Sequence, residues 1–195
     1  MIGLCAYALT CGACWLLATR TFSELKSSWR TLALAAIGAI ATLFCNGETS
    51  AAGAVDGIIL GFAWACAATD VASGYVFDRV SAFGGLVVAS TVFVQGTMLA
   101  ALQGAVVAAG ILLIVRTLTK GRGLGLGDVK CAAVLGAGLG SQALLFVGVA
   151  YECGALWACA MLVGRRLRRG DSVAFAPFLA IAASIVLVSR SLAHG

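Results

Sequence analysis

MLAALQGAVVAAGILLIVR, residues 98–116, is a run of apolar and small residues interrupted only by Gln103 and closed by Arg116. A helix of that length rises about 28 Å, the thickness of a bilayer's hydrocarbon core. The segment therefore predicts a membrane-crossing helix. Similar runs fall between charged breaks near 1–19, 31–46, 54–70, 82–96, 128–140, 143–164 and 173–190. The fold class is all-α: a polytopic membrane helix bundle of about eight transmembrane helices. The spans at 31–46 and 128–140 are short for a full crossing and also fit re-entrant segments.

Composition agrees across the whole chain. Its 195 residues are 62% hydrophobic and 11% charged, and the mean hydropathy is +1.05. No polar stretch is long enough to build a separate water-soluble core, which excludes a soluble enzyme and makes residues 1–195 a single domain. The 25 glycines against one proline predict close helix packing, because small residues let backbones approach in lipid; Gly104 and Gly110 are placed for such contacts. The net charge of +5 sits in short clusters beside apolar runs, a topology signal that points to a lipid bilayer and not to nucleic acid. The eight cysteines are scattered through apolar segments, and the Cys11–Cys14 pair has no second pair to complete a four-thiolate zinc site. They read as packing residues, with no metal and no cofactor expected.

Basic residues set the sidedness. Arg20, Lys26 and Arg30, then Arg79, then Arg116, Lys120, Arg122 and Lys130, then Arg165, Arg166, Arg168 and Arg169 all fall in alternate breaks. Those breaks belong in the cytoplasm. The intervening breaks, 47–53, 95–97 and 141–142, hold no Lys or Arg, and Arg190 alone falls outside. Both termini are then outside. The apolar start, Met1 to Thr19, is followed and not preceded by its charges, so it reads as a retained helix and not as a cleaved signal.

This topology puts Asp70, at the end of the third span, on the same face as Asp128, at the start of the sixth. An ionised acid at the edge of lipid needs water, a cation or another acid. Two carboxylates brought together share one proton, since like charges in contact do not both ionise cheaply. That pair hydrolyses a peptide without metal: the ionised aspartate takes a proton from water while the protonated one polarises the scissile carbonyl. Asp128 also lies within KGRGLGLGDVK, residues 120–130, where alternate glycines just before it remove side-chain bulk and let the backbone pass close to a substrate or a second helix. The run lacks the lysine and hydroxyl spacing of a phosphate-binding loop.

Gly125, Leu126, Gly127, Asp128 and Lys130 match the G-x-G-D-x-K motif of the type IV prepilin peptidases. The segment from Asp70 to Val76, Phe77 and Asp78 resembles that family's first aspartate motif, with Phe77 where a proline is usual. Phe175, Ala176, Pro177 and Phe178 resemble the Gly-Pro-Phe segment that opens the last helix, with Ala176 in place of glycine. The resemblance covers residues 54–190, leaving 1–53 as an N-terminal helix pair. It implies an aspartyl endopeptidase of a bacterial inner membrane, with Asp70 and Asp128 catalytic, that cuts the basic leader from prepilin or pseudopilin precursors at the cytoplasmic face. A pilus or secretion machinery is the implied setting. Long family members carry two C-x-x-C pairs in a cytoplasmic insertion tied to N-terminal methylation. The break at 20–30 has no cysteine, so the chain resembles the short forms of tight-adherence pilus systems.

Supporting roles are expected for Gly125, Gly127 and Pro177, for Lys130 as a cation beside Asp128, and for Asp78, in the loop after Asp70, as a partner for the basic leader. Glu152 falls near mid-membrane and reads as an acid hydrogen-bonded between helices. It is the one feature favouring a cation-coupled transporter, whose site would lie at the midplane and not at the edge. A presenilin-like protease shares the Leu-Gly-Leu-Gly-Asp run at 124–128, but this chain has Pro177-Phe178-Leu179 where those enzymes have Pro-Ala-Leu.

Overall fold

The structure, a computed structural model, describes residues 2–21, 29–45, 51–121, 124–164 and 174–194. Of the predicted topology signals, Lys26, Arg122, Arg165, Arg166, Arg168, Arg169 and the Gly47 end of one break lie outside the described residues. The described chain is all-helical, with eight α-helices and no strand: α1 (Ile2–Thr21), α2 (Trp29–Cys45), α3 (Ala51–Ser73), α4 (Asp78–Gln95), α5 (Met98–Leu118), α6 (Leu126–Leu139), α7 (Ala143–Val163) and α8 (Ala176–His194). A single 3-10 turn, Gly140–Gln142, joins α6 to α7.

Five segments among the described residues are long and apolar enough to cross a membrane: Ile2–Arg20, Ala52–Ser73, Met98–Leu118, Leu126–Val163 and Ala176–Ala193. The fourth contains both α6 and α7. α2 is a shorter apolar helix, and α4 opens on Asp78 and Arg79. Large apolar side chains such as Leu16, Ile40, Leu102, Val106, Leu144 and Leu156 face outward, as lipid allows and water penalises.

α3 is the axis of the bundle. Every residue from Ile59 to Asp70 is buried, because α1, α2, α4, α6 and α8 all pack against this one helix. Its sequence is apolar all round, as a fully enclosed helix requires. The Trp64 indole N–H donates to Ser184 Oγ at 3.1 Å, tying α3 to α8. Near the opposite end of α3 from Asp70, Arg190 of α8 pairs with buried Asp56. Arg190, the one basic residue expected outside, thus has an acidic partner within the protein.

Glycines allow the closest approaches. A Cβ on Gly57 would strike the Gly3 carbonyl, and one on Gly104 would strike the Gly136 carbonyl, so α1–α3 and α5–α6 meet backbone to backbone. Gly110 is different from expectation: a Cβ there meets nothing within 4 Å, because its side of α5 faces out of the bundle. Gly104→Val should therefore cost about 1–3 kcal/mol, since a backbone carbonyl has no rotamer by which to yield. Gly110→Val should leave thermal unfolding in detergent unchanged or slightly raised.

Candidate active site

Asp70 occupies the last turn of α3, which ends where Gly74 takes φ +71° and donates its N–H to the Asp70 carbonyl at 2.7 Å. Glycine enters that left-handed conformation without a Cβ penalty, so the helix stops one turn after Asp70. The helix thus runs further than the sequence expectation, through Ser73. Asp70 is 6% exposed. Its carboxylate accepts the Ala176 N–H at 3.1 Å, next to the backbone of Phe175. These belong to the start of α8, where N–H groups have no partner within their own helix and the helix dipole favours an anion. Asp70 therefore caps α8 from another helix. Pro177, in the first turn, has no N–H to satisfy and a φ already suited to a helix.

Asp128 is the third residue of α6, and it accepts the Gly125 N–H at 3.0 Å. The bond closes the first turn of α6 with one half of a capping box, the N3 side chain on the N-cap N–H, since Gly125 has no side chain to return the bond. Gly125 itself has extended backbone, φ −73° and ψ 154°, so it is the absence of a side chain that this position uses. A Cβ there would stand 3.1 Å from Asp128 Oδ2. Gly127 serves a different contact: a Cβ would lie 3.0 Å from Val76 Cβ and 3.1 Å from the Val76 carbonyl. The segment after α3 thus rests directly on the first turn of α6.

This contact gathers the two acids. One turn below Asp70 lies Cys66, and one turn below Asp128 lies Cys131; both are fully buried where α3 packs on α6. Above them, the charge of Asp70 acts on Asp128, and more strongly than that of Arg116. Asp128 is 9% exposed. Two nearly buried carboxylates from separate helices therefore share one end of the bundle, within electrostatic reach of each other.

Lys130 is not the cation beside Asp128. It points outward and pairs with Asp78 at 2.6 Å, both side chains being at least half exposed. Asp78 in turn is the first residue of α4 and not part of a loop. Among the described residues, the cation whose field reaches Asp128 is Arg116, at the end of α5, whose guanidinium donates to the Leu124 carbonyl just before Gly125. Reading Arg116 as a topology residue concealed this contact, since nothing in the sequence ties α5 to the residues preceding α6.

Tyr151 was also missed. Its ring packs on Phe175 with centroids 5.3 Å apart, and its hydroxyl lies in the field of Asp128. Glu152, the residue that drew notice in that span, is exposed and makes no hydrogen bond or ion pair with the described residues. Apart from Tyr151 and Glu152 the residues of α7 are apolar or small, so its sequence does not reveal which face turns inward.

Beyond the geometry, residues 57–189 match the sequence model of the type IV leader peptidase family. No curated protein and no solved structure matches the chain.

Proposed function

The chain belongs to the type IV leader peptidase family, and from that premise we propose that it is an aspartyl endopeptidase that removes the basic leader of prepilin-like precursors, with Asp70 and Asp128 as its catalytic pair. It is a multi-pass membrane peptidase. The finer reading adds eight crossings, a bacterial inner membrane, termini outside and cleavage at the cytoplasmic face. The distribution of Lys and Arg supports that orientation. The observation that carries the mechanism is the juxtaposition of two nearly buried carboxylates at one end of the bundle, with Asp128 in the field of Asp70.

Hydrolysis then proceeds without a covalent enzyme intermediate. The ionised aspartate accepts a proton from water as the water oxygen bonds to the scissile carbonyl carbon. The protonated aspartate donates to the carbonyl oxygen, giving a tetrahedral diol. Proton return to the amide nitrogen lets the C–N bond break, releasing the leader's carboxyl group and the new N-terminal amine. Each aspartate is oriented by backbone N–H groups: Asp70 by the start of α8 and Asp128 by Gly125. These donors are fixed in place before substrate arrives, which is what efficient catalysis requires.

The other residues take positioning roles. Gly125 and Gly127 admit the close backbone, Pro177 starts the helix that Asp70 caps, and Arg116 holds the carbonyl preceding Gly125. Asp78, the most exposed of these acids, meets a basic leader by exchanging it for Lys130. The test is to co-express the chain with prepilins from the same genome and follow leader removal by mass spectrometry. Release of the leader supports the reading, and intact precursor alongside inserted enzyme opposes it.

A further inference from the structure

Tyr151 stands in the middle of α7 with its hydroxyl buried and without a hydrogen-bond partner among the described residues. A phenolic O–H removed from water and left unpaired destabilises a fold, so an unpaired one at a site calls for a role. Its ring rests on Phe175, the neighbour of Ala176, whose N–H is bonded to the Asp70 carboxylate. Its hydroxyl is also within the field of Asp128. A donor on a third helix therefore lies beside Phe175 and within electrostatic reach of Asp128. Neither acid uses it, since Asp70 is held by the start of α8 and Asp128 by Gly125.

Resting on the two-aspartate reading above, we propose that Tyr151 is a further catalytic residue whose hydroxyl donates a hydrogen bond to the scissile carbonyl oxygen of the bound peptide. As the water oxygen bonds to the carbonyl carbon, the C=O π pair moves onto that oxygen. Tyr151 shares its proton with the oxygen without transferring it. One lone pair takes the aspartic acid proton and the other takes the tyrosine, so the two donors do not compete. The hydrogen bond strengthens as negative charge develops, which places its effect on kcat more than on KM. The arriving peptide thereby supplies the partner that the free enzyme lacks.

Tyr151→Phe keeps the ring on Phe175 and deletes only the oxygen. Measured on a purified prepilin in detergent, kcat should fall about 100-fold with KM little changed, and the melting temperature should equal or exceed that of the parent. Retention of the parent's kcat would overturn the assignment. So would a lowered melting temperature, which would reveal a structural hydrogen bond. Asp128→Asn assayed in parallel separates the two levels. If it cleaves like the parent, the two-aspartate reading fails. If it is inactive while Tyr151→Phe is fully active, only the role of Tyr151 fails.

Discussion

Asp128→Asn, and separately Asp70→Asn, should leave the chain inserted and folded but lower leader cleavage by at least about 10³-fold, the scale on which a positioned acid or base contributes. Asparagine has nearly the shape of aspartate, and at position 128 its carbonyl oxygen still accepts the Gly125 N–H. The first turn of α6 is therefore preserved while the ability to take or give a proton is lost. At position 70 the amide still accepts the Ala176 N–H but no longer sets an anion against the start of α8. Some stability, about 0.5–2 kcal/mol, should go with that cap. The two variants thus differ in melting temperature while agreeing in inactivity. Asp78→Asn is the contrast. Its partner is an exposed lysine, and exposed pairs contribute about 0–1 kcal/mol, so it should keep partial cleavage with weaker binding of basic leaders.

Gly127→Val should be the most damaging change among residues without chemistry of their own. Even a bare Cβ meets the Val76 side chain and carbonyl at 3.0 and 3.1 Å, and valine adds two methyl groups. Relief requires the segment after α3 to lift from α6, which shifts Asp70 relative to Asp128. A displacement of about 1 Å in a reacting constellation costs roughly 10²-fold in rate, and the overpacking about 1–3 kcal/mol in stability. Gly127→Ala should fall between parent and valine variant. Cleavage rates with thermal unfolding in the same detergent check this, and a valine variant with the parent's rate would show that the Val76 contact does not position the acids.

The helices were largely legible because lipid-facing and core-facing sides are both apolar, and long runs stand out against charged breaks. Their ends were not. The span ending at Asp70 continues through Ser73, and the span expected from 82 opens at Asp78, because polar residues at a membrane edge continue a helix without lengthening its apolar run. The two aspartates were readable from the glycine-rich segment and the sidedness of the loops. Their partners depend on tertiary packing: N–H groups of a helix about a hundred positions away orient Asp70, and the guanidinium at the end of α5 reaches Leu124. Lys130 shows the hazard of sequence proximity, since two positions along a helix place it well around the axis from Asp128 and beside Asp78 instead.

The encounter of α3 and α6 at their acidic ends can be measured in the membrane. In a chain whose eight native cysteines are replaced by alanine, Asp70→Cys with Asp128→Cys should be joined by a short thiol-reactive cross-linker, detected as a linked peptide by mass spectrometry. Asp56→Cys with Asp128→Cys should not be joined, because Asp56 lies about 21 Å further along α3. Linkage of the second pair and none of the first would place the two carboxylates apart and contradict the shared site.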